Sequence, residues 1–201
     1  MNAMRKDHEV IAGLVSHGSS VLDLGCGEGD LMACLGEKRS AKVRGVEISE
    51  AAIYRCVGRG LSVSHQDIDN GLSEYGDKSF DYVILNQCLQ QVKTPQTVLA
   101  EAVRVGRKAI VGIANFAHIS ARWQLAVAGR APVTPALPFQ WYDSPNLHFL
   151  SLSDFHNYSR NHGIIIEEAV YLNGGSRVRF LPNLMAQTGI YIISKTKIGD
   201  R

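Results

Sequence analysis

An apolar run ending in glycines at alternate positions, VLDLGCGEGD at residues 21–30, limits what this chain can fold into more than any other feature. The pattern encodes a buried strand, a tight loop and a following helix, with Gly25, Gly27 and Gly29 letting backbone approach a ligand closely. Such a unit needs neighbours to cover it, and the rest of the chain supplies them. Short apolar runs such as FDYVIL and AIVGI show no polar alternation, as expected of strands covered on both faces. Strands are expected at 20–24, 42–47, 61–65, 80–85, 108–113, 164–171 and 189–194. Helices are expected between them at 6–16, 29–37, 50–58, 95–105, 118–128 and 153–161. Ser49 and either Ser151 or Ser153 are the expected N-caps, and Gly163 the left-handed stop of the last helix. The alternation predicts an α/β doubly wound sheet of seven mostly parallel strands, with helices on both faces. The segment NGGSRVRFLPNLMAQT is too short for a helical crossover, so the last strand is expected to be antiparallel.

One segment interrupts the plan. Residues 130–149, RAPVTPALPFQWYDSPNLHF, hold four of the six prolines together with Trp141 and Tyr142. Proline excludes helix and central strand here, and the aromatic content excludes a disordered linker. An ordered insertion over the sheet's edge or a ligand crevice is expected, within a single domain at 1–201. A formal net charge of +2, spread without basic runs, argues against a nucleic-acid surface. No apolar stretch approaches the ~20 residues of a membrane span, and MNAMRKDHEV lacks a signal peptide's apolar core. Cys26, Cys34, Cys56 and Cys88 show no metal-binding spacing, so reduced thiols, no metal and a cytoplasmic setting are expected.

The acids at the strand ends specify the ligand. A dinucleotide fingerprint would place its third glycine where Asp30 stands. Asp23, at the end of the first strand, would repel a pyrophosphate but attract a free ammonium. S-adenosylmethionine carries an ammonium and no phosphate. Glu47 ends the next strand, where a carboxylate can accept ribose hydroxyls, and Asp67 follows the third strand, where an acid can receive an adenine amino group. Their neighbours Ile48 and Ile68 join Gly25, Cys26 and Gly27 as candidate cofactor-binding residues. Asn86 and Gln87, at the end of the fourth strand, are candidates for the methionine part, or else simply cap that strand. Asp69-Asn70-Gly71 reads as turn chemistry.

These stretches resemble the MetW family of methionine-biosynthesis proteins, within the class I S-adenosylmethionine-dependent methyltransferase superfamily. The resemblance runs in order through VLDLGCGEGDLM, GVEIS, CVGRGLSVSHQDIDNGL, DKSFDYVILNQCLQQV, VLAEAVRVGRKAIV, GRAPVTPALPFQWYDSPNLHF and LPNL. The first two blocks are superfamily-wide, and the proline–aromatic insertion is far more particular. The resemblance implies the Rossmann-like class I methyltransferase fold, binding of S-adenosylmethionine or S-adenosylhomocysteine, and homoserine O-acetyltransferase as a partner. Asn86 stands where the family pattern implies serine, and the IANFAHISARW and LMAQTGIY segments also depart from it.

No catalytic residue follows from the sequence. Methyl transfer needs a base only where the acceptor must lose a proton, and His118, Tyr142, Asp143 and His148 form no recognisable pair. Two readings therefore stand. One is a cofactor-binding protein that assists or regulates homoserine O-acetyltransferase, with Arg122, Trp123, Trp141 and Tyr142 as candidate contact residues. The other is a methyltransferase acting on an unidentified small molecule.

Overall fold

The computed structural model describes residues 5–195; the expected 1–201 span and the MNAM start of the N-terminal reading extend outside the described residues. The chain forms α1 (Lys6–Leu14), β1 (Ser20–Leu24), α2 (Asp30–Arg39), β2 (Lys42–Glu47), α3 (Glu50–Gly58) and β3 (Val63–His65). A short 3₁₀ turn at Ile68–Asn70 follows, then β4 (Phe80–Asn86), α4 (Pro95–Val105), β5 (Gly106–Ala114) and α5 (Ile119–Ala126). The C-terminal part adds α6 (Leu152–Asn161), β6 (Ile164–Asn173), β7 (Ser176–Arg177), α7 (Pro182–Met185) and β8 (Thr188–Lys195).

All strands join one sheet in the order β3-β2-β1-β4-β5-β8-β6-β7. The pairings from β3 through β5 are parallel, and β8 runs antiparallel to both β5 and β6. The expected antiparallel last strand is therefore present, inserted between two others. The sheet has eight strands where seven were expected. The extra one is the two-residue β7, which folds back on the end of β6 through Leu172↔Arg177 and Asn173↔Ser176. So short a pairing leaves no apolar run by which to recognise it.

The continuous apolar runs divide between two helical layers, because successive side chains of a strand face opposite sides. Leu22, Leu24, Val83, Leu85, Val111 and Tyr191 pack with Leu99 and Val103 of α4 and Phe155 of α6. Val21, Ile84, Ile110 and Ile190 pack with Ile11 of α1 and Leu31 and Leu35 of α2. The helix ends are set by caps rather than by the apolar period. Gly29 takes a left-handed conformation at φ 81, so α2 starts at Asp30 and not at 29. His118 sits at the N-cap of α5, accepting the Ser120 amide, so that helix is shorter than the expected 118–128. Ser49 caps α3 as expected, and Ser151 rather than Ser153 forms a reciprocal capping box with Asp154. Gly163 ends α6 at φ 65. None of the helices among the described residues is long and apolar enough to cross a membrane.

The proline–aromatic segment has no helix or strand, only a single bridge between Thr134 and Leu137. It is nevertheless fixed. The Gln124 side chain of α5 both donates to and accepts from the Val133 backbone, and Phe149 packs on Phe116 at 5.0 Å between ring centroids. Gln90 is the main anchor. Its buried side chain pairs with both backbone groups of Ala114, while its own carbonyl accepts the amides of Leu147 and His148.

Candidate functional site

Strand order reverses between β1 and β4, which is where a doubly wound sheet opens a crevice beyond the carboxyl ends of its strands. A crevice of about 940 Å³ lies there. Its floor and one wall come from Gly25, Gly27, Val46, Glu47, Ile48, Asp67 and Ile68; another wall comes from Asn86, Gln87 and Cys88. The insertion covers part of it with Pro135, Ala136, Pro138 and Phe139.

The loop after β1 is drawn tight against the neighbouring strand. The Gly25 and Cys26 amides both donate to the Val46 carbonyl. Gly25 stands at φ 68, and a Cβ there would lie 2.9 Å from that of Cys88. Only glycine fits at that point. Glu47 then ties the next turn in place: its Oε2 accepts the Gly27 amide at 2.8 Å, and its Oε1 accepts the amides of Ile48 and Ser49, each at 2.9 Å. A carboxylate has about four acceptor positions, so three amides leave Glu47 room for one more donor. The expectation that it receives both ribose hydroxyls is narrowed to that extent.

Of the sequence-derived candidates, Gly25, Gly27, Glu47, Ile48, Asp67, Ile68, Asn86 and Gln87 line the crevice together. Asp23 and Cys26 do not form its walls, because both side chains turn into the interior beneath the loop. Asp23 is buried, and its Oδ2 has no hydrogen-bond partner among the described residues. Burial pushes its carboxyl up to about 7, and the negative charge of nearby Glu47 adds to the rise. Cys26 packs with Met32 and Cys56, and burial raises its thiol far above the usual range, which keeps it protonated. Asp67 accepts the Asp69 amide and caps the 3₁₀ turn.

Several residues of the site carry no motif. Asp69 is more than turn chemistry: its carboxylate accepts the Lys93 and Thr94 amides and the Thr94 hydroxyl, joining the 3₁₀ turn to the start of α4. Asp7 of α1 reaches across to Asn86 and Gln87, whose side-chain amides donate to its Oδ2 at 3.0 and 3.2 Å. Arg5, Lys6, Gln66, Gln90 and Gln187 also line the crevice. None of these contacts leaves a local signal, since each joins segments far apart in the chain.

The four candidate bases are not among the crevice-lining residues. His118 is buried as a helix cap, with Nδ1 2.7 Å from the Ser120 hydroxyl, and burial lowers its pKa. Tyr142 stacks edge-on against Trp141, both largely exposed, and Asp143 is exposed beside them. His148 is held through its backbone amide on Gln90.

The sequence model for "Methionine biosynthesis protein MetW" matches residues 5–193 of the chain. A "Bifunctional methionine biosynthesis protein MetXA/MetW" from Rhodopirellula baltica is 34% identical over 92% of this chain, which spans only 32% of that longer protein. A "Ubiquinone biosynthesis O-methyltransferase" from Pseudomonas fluorescens is 26% identical over 77% of this chain and 68% of its own length. Among solved structures, the putative methyltransferase complexed with the Trm112 activator of Haloferax volcanii superposes with a TM-score of 0.66 at 16% identity, over 94% of this chain and 89% of that one. The [4+2]-cyclase SpnF superposes with a TM-score of 0.67 at 17% identity, over 95% and 81%. At these identities the structural likeness shows the class I methyltransferase fold alone, and that fold carries different reactions.

Proposed function

The chain belongs to the MetW family of methionine biosynthesis proteins, and from that premise we propose that it is a cytoplasmic protein that binds S-adenosylmethionine or S-adenosylhomocysteine and acts with homoserine O-acetyltransferase. One observation carries the ligand: the crevice gathers the carboxylates of Asp7, Glu47, Asp67 and Asp69 around a tight glycine loop. Such acids can accept the hydroxyl and amino donors of a nucleoside, while Arg5, Lys6 and Lys93 line the same crevice. The open acceptor position of Glu47 takes a ribose hydroxyl, Asp67 takes the adenine amino group, and Ile48 and Ile68 flank the base. Asp23 lies buried with its carboxyl raised to about 7, and an approaching cation would favour its ionised form. S-adenosylmethionine, when bound, supplies an electrophilic methyl group on a sulfonium.

The partner is supported by the Rhodopirellula relative, whose name joins MetXA to MetW in one chain, and by the exposed aromatics of the insertion. Trp141 is 79% and Tyr142 71% exposed although their segment is firmly anchored. Rigid aromatic side chains of this kind serve as interface anchors. The decisive test measures acetyl transfer by homoserine O-acetyltransferase with and without this chain, at zero and saturating S-adenosylmethionine. A rate that changes with both additions supports the reading; a rate indifferent to the chain removes the partnership. The second reading, methyl transfer to a small molecule, is favoured by the extension of the crevice past the glycine loop to Ala114, Pro138 and Phe139. It predicts conversion of S-adenosylmethionine to S-adenosylhomocysteine in the presence of an acceptor.

A further inference from the structure

The LPNL stretch at residues 181–184 takes no part in the crevice; it builds a second hollow instead. Leu181 adopts a left-handed conformation at φ 42, uncommon for a residue with a Cβ, and turns the chain so that Pro182 and Asn183 of α7 come against α6. On α6, Ser153, His156, Asn157 and Arg160 stand three or four residues apart and so share one face. Together with Tyr171 of β6, these groups line a cavity of about 280 Å³. No residue lines both this cavity and the crevice.

Its polar groups are arranged to donate. Arg160 is exposed, its side chain has no hydrogen bond or ion pair among the described residues, and no Asp or Glu lines the cavity. His156 Nε2 lies 3.0 Å from the Tyr171 hydroxyl. Burial and the Arg160 charge both lower the pKa of His156, which favours a neutral ring. Tyr171 then donates to Nε2, and Nδ1 carries the ring proton. Tyr191, buried beneath, packs edge-on against both rings, with centroids 5.4 Å from His156 and 6.0 Å from Tyr171, and holds the pair in place. Asn183 Oδ1 accepts the Ser153 amide at 3.2 Å, which leaves Nδ2 of the same amide group to donate.

A guanidinium without an acid partner, set in a concave face among neutral donors, complements an oxyanion. Donors come from both α6 and α7, more than one planar carboxylate uses well, whereas a phosphoryl group offers three oxygens. The volume falls just below the roughly 300–1,000 Å³ of sites for drug-sized ligands, so the ligand is small. We infer that the cavity between α6 and α7 binds a phosphoryl group, as free phosphate or as a small phosphate monoester. Arg160 supplies the charge, and His156 Nδ1, Asn183 Nδ2 and the Ser153 hydroxyl complete the donor set. This site is separate from the crevice and does not depend on what the crevice binds.

The test is amide proton–nitrogen correlation NMR on the full chain, titrated with sodium phosphate, glycerol phosphate and sodium acetate, each against sodium chloride at matched ionic strength. Phosphate or glycerol phosphate is expected to give saturable shifts at Ser153, His156, Asn157, Arg160, Tyr171 and Asn183, and to bind more tightly than acetate. The tighter of the two phosphates identifies the source, and either one supports the site. Arg160→Ala is expected to weaken binding by about tenfold or more, since it removes the charge-assisted hydrogen bonds, with Arg160→Lys falling between. Arg160 is exposed, so its thermal melt should match that of the wild type. Shifts no larger than those from chloride, shifts confined to the glycine loop and Glu47, or binding unchanged in Arg160→Ala would each overturn the site. Acetate binding as tightly as both phosphates would overturn its assignment to a phosphoryl group.

Discussion

Glu47, the last residue of β2, accepts the amide of Gly27 through Oε2 at 2.8 Å and so fastens the glycine loop to the neighbouring strand. Its other oxygen holds the Ile48 and Ser49 amides at the entrance to α3. The carboxylate is thus a structural fastener, and in the proposed function it is a ligand acceptor as well. Glu47→Gln replaces one oxygen with an amide nitrogen that cannot accept, leaving at least one backbone amide unpaired. The expected cost is about 1–2 kcal/mol of unfolding free energy, together with weaker nucleoside binding. Urea unfolding and calorimetry on the same sample check both; a loss of binding without any loss of stability would separate the two roles.

Asp23 is expected to give the protein a pH signature. Because its folded carboxyl is raised to about 7, the protonated form is favoured in the native state, and the stability it contributes is present at low pH. That contribution fades as pH rises from about 4 through about 7, by an amount on the order of 4 kcal/mol at most. Asp23→Asn stays neutral across this range. The stability of the variant relative to wild type should therefore increase between pH 5 and pH 8, measured by urea unfolding at each pH. Parallel curves would mean that Asp23 is already ionised in the folded protein.

Asn86 and Gly112 are coupled across β4 and β5. A Cβ at Gly112 would lie 2.2 Å from Asn86 Oδ1, while Asn86 Nδ2 is held by Asp7. Gly112→Ala is expected to cost about 1–3 kcal/mol through overpacking. The shorter side chain of Asn86→Ser opens that space, so the double variant should recover most of the loss. A double-mutant cycle reads the coupling, and strictly additive effects would show that the contact is relieved elsewhere.

Trp141 and Tyr142 point outward from an anchored segment. Replacing both with alanine should change unfolding free energy by less than about 0.5 kcal/mol, as for other exposed positions. The effect on homoserine O-acetyltransferase should fall by tenfold or more if the insertion is the contact. Unchanged stimulation with unchanged stability would move the interface off these two residues.

The central strands β1, β4 and β5 could be read from the sequence because each is a short apolar run covered on both sides, and that is a local property. Gly25, Gly27, Glu47 and Asp67 could be placed near strand ends, since Glu47 ends β2 and the others follow β1 and β3 within three residues. The orientation of Asp23 could not, because the side that a side chain takes at a strand's last turn depends on the layer packed beneath it. Asp7 and Gln90 were illegible for a different reason. Asp7 meets Asn86 and Gln87 only after the sheet has formed, and Gln90 looks like one polar residue among several in NQCLQQV until the insertion closes over it. Short elements fixed by caps and turns, such as α7 and β7, carry too few residues for periodicity to register.

Titration of the wild-type chain with S-adenosylhomocysteine by isothermal calorimetry tests the account most directly. It predicts saturable binding at one site per chain, weakened at least about tenfold by Glu47→Ala, which removes the acceptor and unfastens the loop. A wild-type chain that is folded by its thermal melt and yet shows no saturable binding would contradict it.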